Sequence, residues 1–353
     1  MTPNVPGNRH RPTLALGIVG CGAITEVFHL PTAAAVAEAV VVALADLDIE
    51  RARALGRAYG VNRCVEDYRA LFDGVDAVVL ALPNHLHASA AMEFLRRDIA
   101  VLVEKPPATS LDEARAMSAV ASASQTLLQV GLSLRFCAGA RIVKQAIDLG
   151  WLGRIQNFCL EFGSPFAWPV TSGSLFIRDQ AVGGVLLDAG SHMLDCLLWW
   201  LGEATEVDYR DDSLGGVEAE CGLTLHLSGP RGAVGGTVAL SRLRRLRNIA
   251  RIVGDRMTVE FDLTTPDRVL LSPTAPHEAS PSGFTLDTAA TGRQSWTDVY
   301  AAQLRAFTRA VLDGASSPVP AESAMPVVGL IERCYQHRGR LELPWLAADP
   351  AQT

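Results

Sequence analysis

Short apolar runs alternate with amphipathic stretches over residues 14–135. TLALGIVGCGAI reads as a buried strand running into glycines, and AITEVFHLPTAAAVAEA as a helix interrupted by Pro31. AVVVALADLD is a second buried strand ending at Asp46, followed by the helix IERARALGRAYG, closed by Gly60. VDAVVLALPN, IAVLVEKP and TLLQVGLSLR continue the strands, with the helices HLHASAAMEFLRRD and SLDEARAMSAVASAS between them. Ser110 ahead of an acidic first turn is an N-cap signal. Apolar strands each followed by a helix predict βαβ units and a parallel sheet covered on both faces.

The pattern changes after about residue 136. The helix AGARIVKQAIDLG leads to RIQNFCLEFG, and then come VEAECGLTLHL, GAVGGTVALSRL, RNIARIVG, MTVEFD and DRVLLS, all strand-like. Between Val217 and Leu227, Val217, Ala219, Cys221, Leu223, Leu225 and Leu227 face one way, and Glu218, Glu220, Thr224 and His226 the other. That alternation is a strand with one apolar face, and runs of strands joined by short turns predict a mostly antiparallel sheet. SWTDVYAAQLRAFTRAVLDG and AESAMPVVGLIERCYQHRG are closing helices. The expected architecture is α/β. A doubly wound parallel sheet spans 14–135, and an α+β domain with a large, mostly antiparallel open sheet spans 136–353. The polar, Pro-rich residues 1–13 are expected to be a disordered lead-in.

Composition narrows the function classes. The chain has 353 residues, 49% apolar and 20% charged, which suits a soluble protein with a sizeable core. A net charge of −7 argues against nucleic-acid or membrane-surface partners, and no apolar stretch is long enough to span a bilayer. The seven cysteines are odd in number and scattered, with no CxxC pair. They predict free thiols in a reducing cytoplasm, with no disulfide framework and no metal site.

The chemistry begins at Gly20-Cys21-Gly22-Ala23-Ile24-Thr25, between the first strand and the first helix. Glycine there permits a tight turn and close approach of backbone N–H groups to a pyrophosphate. Thr25 stands where a third small residue is usual, so looser helix–strand packing is expected. Asp46 ends the second strand 24 residues after Gly22, near the position of a ribose-binding carboxylate. The context predicts a Rossmann domain binding NAD. Asp46 would repel a 2′-phosphate, while Arg51 and Arg53 keep NADP possible. Farther on, GGVLLDAGSHMLDCLLWWLG reads as a helix entered through glycines, with Asp188, His192 and Asp195 along one face.

GIVGCGAI, ALPNHLHA, VEKP, GGVLLDAGSHMLD and IERCYQHRGR occur in the order seen in the glucose–fructose oxidoreductase, inositol dehydrogenase and rhizopine-catabolism (Gfo/Idh/MocA) family. The chain resembles that family over residues 14–345. The resemblance implies NAD(P)-dependent hydride transfer at a secondary alcohol of a sugar, activated sugar or cyclitol. It also implies a homodimer or homotetramer formed through the open sheet.

The resemblance assigns His192 the role of base for the hydroxyl proton, and a neutral imidazole suits that task near neutral pH. Asp188 is expected to orient the His192 ring, and Asp195 to bind a second substrate hydroxyl. Lys105 is one of only two lysines beside 29 arginines. It ends a strand beside the expected nicotinamide position, where a compact ammonium could stabilise a developing alkoxide. Leu82, Pro83, Asn84 and His87, with Glu104, match the loops along the cofactor. Arg135 matches an arginine near the family's active site, with Ser133 where Asn is common. Phe166, Trp168 and Arg178 are candidates to line a sugar pocket. The segment RLRRLRN, residues 242–248, could hold an anionic group of an activated sugar, but a solvated hairpin tip is favoured. Two alternatives stand beside the dehydrogenase: an NAD-dependent glycoside hydrolase of the same family, and a non-catalytic cofactor sensor. The joint presence of Lys105, Asp188 and His192 argues against the sensor.

Overall fold

The structure is a computed structural model and describes residues 13–171, 173–213, 216–274 and 293–342. The lead-in expected at 1–13 lies outside these residues except for Thr13. The first sheet contains β1 (Leu14–Val19), β2 (Ala39–Ala45), β3 (Arg63–Val65), β4 (Ala77–Leu80), β5 (Ala100–Val103) and β6 (Leu128–Val130). Its order is β3-β2-β1-β4-β5-β6 with every pair parallel, the doubly wound Rossmann arrangement. The crossovers carry α1 (Leu30–Ala34), α2 (Ile49–Tyr59), α3 (His87–Leu95) and α4 (Leu111–Ser124). Local signals set their ends. Asp48 and Ser110 accept N–H bonds as N-caps of α2 and α4, and Gly60 closes α2 at φ 73°.

The second domain begins with α5 (Ala138–Asp148) and β7 (Ile155–Gly163), followed by α6 (Arg178–Ala181) and α7 (Ser191–Leu201). Then come β8 (Glu203–Asp211), β9 (Glu220–Gly229), β10 (Gly232–Ser241), β11 (Ile249–Gly254), β12 (Met257–Asp262) and β13 (Val269–Pro273). The chain closes with α8 (Trp296–Asp313), α9 (Met325–Gln336) and β14 (Gly339–Arg340). The eight strands run β13-β12-β11-β7-β10-β9-β8-β14. Only β7–β10 and β8–β14 pair in parallel.

Helix α8 departs from the expected division at 135/136. Its Ala301, Leu304 and Phe307 pack with Leu14, Leu16 and Ile18 of β1 in one buried cluster. The carboxy-terminal part of the chain therefore returns to cover the first sheet.

On β9, Cys221, Leu223, Leu225 and Leu227 are buried, while Thr224 and His226 are exposed. The apolar stripe joins the core with Leu194, Leu197 and Leu201 of α7, so helices of the same chain cover it and it needs no partner. Glu218 and Glu220 break the alternation, since both are buried. Glu220 is held by Arg244 at 2.6 Å. The outer face of the sheet presents Thr224, His226, Thr237 and Arg251. No helix among the described residues is long and apolar enough to cross a membrane. All seven cysteines are free, and no cluster of His, Cys, Asp or Glu among the described residues could hold a metal ion.

Candidate active site

A cavity of about 890 Å³ lies between the carboxyl ends of the first sheet and the second domain. That is ample for a dinucleotide's nicotinamide end with a small substrate beside it. The glycine turn forms one end. Gly20 has φ 96°, and a Cβ there would overlap the Ala81 carbonyl. Gly22 would meet nothing closer than Thr171 Oγ1 at 3.6 Å, which leaves room for a phosphate to approach the backbone. Gly20, Gly22, Ala23 and Ile24 line the cavity, where the first N–H groups of a helix lack intrahelical acceptors. Thr25 does not loosen the packing. It is fully buried and its hydroxyl donates to Gly20 O at 2.6 Å, tying the turn to a π-helical start at Thr25–His29.

Asp46 also lines the cavity, with one carboxylate oxygen accepting from Cys21 N at 2.6 Å and the other from Asp48 N at 2.8 Å. Cys21 itself is buried and outside the lining. Arg51 donates to Cys21 O and to Glu26 at 2.7 Å, and Arg53 pairs with Glu50 at 2.6 Å. Both arginines thus have carboxylate partners. The turn's donors and the Asp46 carboxylate fit the diphosphate and ribose of a dinucleotide. Leu82, Pro83 and Asn84 continue the wall, and Asn84 reaches across to Ala181 O at 3.2 Å. His87 does not cap its helix. Its ring is buried and Nδ1 lies 2.7 Å from Pro106 O, with burial holding its pKa below the ordinary value.

The catalytic candidates meet at the other end. Lys105 precedes a cis peptide bond to Pro106, and its Nζ donates to Asp188 Oδ1 at 2.6 Å and Asp188 O at 3.0 Å. Asp188 lies in a π-turn, Leu186–Gly190, that leads into α7. Its second carboxylate oxygen accepts from Arg242, whose guanidinium also lies 5.4 Å from the Phe166 ring centre. Burial by itself would raise the Asp188 pKa. The Lys105 and Arg242 charges outweigh it and hold the carboxyl below the usual carboxylate range.

Asp188 engages Lys105 and Arg242 rather than the expected His192, and among the described residues no hydrogen bond joins the carboxylate to the imidazole. His192 lines the cavity, and its Nδ1 is buried without a hydrogen-bond partner among the described residues. Burial, with the Lys105 charge adding, pushes its pKa down to about 3, while Glu104 and Asp188 oppose this. Glu104 lies 2.9 Å from His29 Nε2 and accepts weakly from Lys105 N at 3.2 Å. Burial works to raise its pKa, but His29, Lys105 and His192 hold it down.

Arg135 and Asp195 do not reach the cavity. They form a buried two-point ion pair at 2.8 and 2.6 Å, fastening α7 to the segment after β6, and Arg135 also donates to Ser323 O. Asp188 and His192 share the cavity as their spacing suggested, whereas Asp195, one turn farther along α7, is turned to Arg135 instead. Arg178 opens α6, but its side chain lies outside the described residues. Trp168 lines the cavity and stacks at 6.1 Å on Phe28, which stacks at 4.4 Å on Tyr300.

Phe28, His29, Tyr300 and Arg242 escaped the sequence reading. The run of arginines at 242–248 carried the only signal, and there the solvated tip was preferred. Arg242 instead meets Asp188, because β10 ends beside the turn that carries Asp188.

Comparison with known proteins agrees with this fold. Residues 14–132 match the family model described as "Oxidoreductase family, NAD-binding Rossmann fold", and residues 140–260 match "GFO/IDH/MocA C-terminal domain". Inositol 2-dehydrogenase of Rhizobium meliloti is 32% identical over 54% of this chain and 56% of its own. D-xylose 1-dehydrogenase (NADP(+)) 2 of Haloferax volcanii is 26% identical over 92% and 97%. The chain spans about half the length of the first curated relatives it matches, as with the 56% of the inositol enzyme. Among solved structures, levoglucosan dehydrogenase in complex with NADH superposes with a TM-score of 0.82 at 20% identity, covering 93% of this chain and 100% of that one. WlbA dehydrogenase from Bordetella pertussis, with NADH and UDP-GlcNAcA, gives 0.80 at 21% identity, covering 92% and 95%. These two share the fold. With both family models matched in tandem and the fold in agreement, the chain belongs to the Gfo/Idh/MocA oxidoreductase family, and its first domain is that family's NAD-binding Rossmann fold.

Proposed function

We propose that the chain is an NAD-dependent dehydrogenase acting on a secondary alcohol of a sugar or cyclitol. The observation that carries the proposal is the placement of Lys105, Asp188 and His192 on one cavity with the glycine turn. NAD+, when bound, supplies the hydride acceptor. Lys105, fixed by two bonds to Asp188, points an ammonium at the substrate oxygen and stabilises alkoxide character as it develops. His192 is neutral near pH 7 with burial holding its pKa down, so it can accept the hydroxyl proton only as Lys105 lowers the cost of the developing alkoxide. Asp188 acts through Lys105 rather than through the imidazole, and Arg242 shares the carboxylate from the other side. Trp168 and Phe166 line the same cavity, where aromatic side chains suit the C–H faces of a sugar.

The cofactor preference follows from the ribose end. The Asp46 carboxylate faces the cavity while Arg51 is spent on Cys21 O and Glu26, which supports NAD over NADP. The outer face of the second sheet, with Thr224, Thr237 and Arg251, is the surface through which copies of the chain would pair. The test of the function is NADH appearance at 340 nm over a panel of sugars, cyclitols and nucleotide sugars. Turnover of at least one secondary alcohol is expected. Release of free sugar from a glycoside without net NADH would replace the dehydrogenase by a glycoside hydrolase.

A further inference from the structure

A buried polar cluster behind the catalytic helix has no part in the chemistry above. Its centre is Glu218, 2% exposed, in the segment ahead of β9. One carboxylate oxygen, Oε1, accepts from Gly184 N at 2.9 Å, Leu186 N at 3.1 Å and the Tyr335 hydroxyl at 2.7 Å. The backbone joins in, with Val185 N donating to Glu218 O at 2.9 Å. Glu218 therefore takes the N–H groups at the start of the turn that carries Asp188, as a local N-cap would, but from a distant strand.

The partners of Glu218 are themselves anchored. Arg338 lies 3.9 Å from Oε2 and 2.8 Å from the buried Asp211, which also accepts from Tyr209 at 2.7 Å. The two glycines before the turn are required by this packing. A Cβ at Gly184 would overlap the Glu218 carbonyl, and one at Gly183 would overlap the Tyr335 hydroxyl. The motifs GGVLLDAGSHMLD and IERCYQHRGR thus meet in space at Glu218.

We infer that Glu218 is a positioning residue that fixes the turn bearing Asp188, and through Asp188 the Lys105 ammonium. Asp188 N bonds Gly184 O at 2.9 Å, so a shift of Gly184 is passed directly to the Asp188 backbone. Both Lys105 bonds end on Asp188. Side-chain truncation at 218 would take the side-chain acceptor from the buried Leu186 N–H and the half-buried Gly184 N–H, and the turn would relax to find other acceptors.

The test uses the scarcity of lysine. Lys144, paired with Asp148 on the exposed side of α5, serves as an internal reference. The protein is labelled with limiting acetic anhydride, and the Lys105 to Lys144 ratio is read by peptide mass spectrometry. Loss of a charge-assisted bond at Lys105 should raise that ratio roughly tenfold in Glu218→Ala. Glu218→Gln keeps the accepting oxygen and should stay within about twofold of wild type. Circular dichroism and thermal melting establish that each variant is folded.

An unchanged ratio in folded Glu218→Ala, or an equal rise in Glu218→Gln, overturns the inference. Should Glu218→Ala not fold, Glu218→Asp draws the carboxylate back from both N–H groups by one methylene, and an unchanged ratio in that variant overturns it instead. The turnover arm alone rests on the proposed function: with a substrate in hand, kcat should fall in Glu218→Ala while NAD affinity holds. If no alcohol is turned over by the wild type, the function fails and the labelling ratio still decides the role of Glu218.

Discussion

Lowering the pH from 8 to 5 tests how deeply His192 is desolvated. The ring's pKa is pushed down to about 3 by burial and by the Lys105 charge. At pH 5 such a group is only about 1% protonated, whereas an unperturbed imidazole would be about 97% protonated. The positive nicotinamide ring of bound NAD+ moves it further in the same direction. Alcohol oxidation should therefore keep nearly its full kcat/KM at pH 5 as far as this base is concerned, with the acid limb lying below pH 6.5. Stability carries the complementary sign. The folded pKa is depressed, so the unfolded chain binds the proton first, and stability is lost as pH falls from about 6.5 toward 3. At pH 5 the loss from this ring is about 2 kcal/mol. The assay is kcat/KM against pH by absorbance at 340 nm, with thermal melts of wild type and His192→Asn at pH 8 and 5. The variant should lose most of its turnover, retain NAD affinity and lack the His192 share of acid destabilisation. A limb centred near pH 6.5 that disappears in His192→Asn would refute the desolvation argument. The same limb in both proteins would refute His192 as the base.

Lys105→Arg should lower turnover by ~10²–10⁴-fold while NAD binding survives, because the planar guanidinium does not reproduce the ammonium's three-way donation. Turnover within a few-fold of wild type contradicts the role. Arg242→Gln should cut kcat roughly tenfold, since Asp188 loses a charge-assisted partner. An unchanged kcat would show that Lys105 alone suffices to hold Asp188. Asp46→Ala should weaken NAD more than NADP in a fluorescence titration, and an unchanged preference removes Asp46 from the ribose. Light scattering at micromolar concentration should find an oligomer that Thr237→Arg disrupts. A wild-type monomer would exclude pairing through the outer sheet face.

Much was legible from local pattern. Apolar runs marked β1, β2, β4 and β5 because a strand buried on both faces leaves no polar alternation to read. The glycine turn, Asp46, Lys105 and His192, named from local motifs and from the family resemblance, line one cavity. Other features were not encoded locally. β8 alternates only from Glu206 to Arg210, with Val207 and Tyr209 turned inward, and a register shift between Ala204 and Glu206 cuts that period too short to mark the strand. Glu218, just ahead of β9, and Glu220, its first residue, occupy polar positions of an alternating stretch, yet both are buried because N–H groups and a cation from elsewhere meet them.

Helical spacing by itself determined that Asp188, His192 and Asp195 are close along one segment. Only the tertiary structure decided their partners. The π-turn and the end of β10 deliver Asp188 to Lys105 and Arg242, which lie 83 and 54 residues away in sequence. The segment after β6 claims Asp195 for Arg135, 60 residues away. The physical reason is that a charge removed from water takes the nearest available counter-charge. Which one is nearest is set by the packing of distant elements, a relation that no local period records.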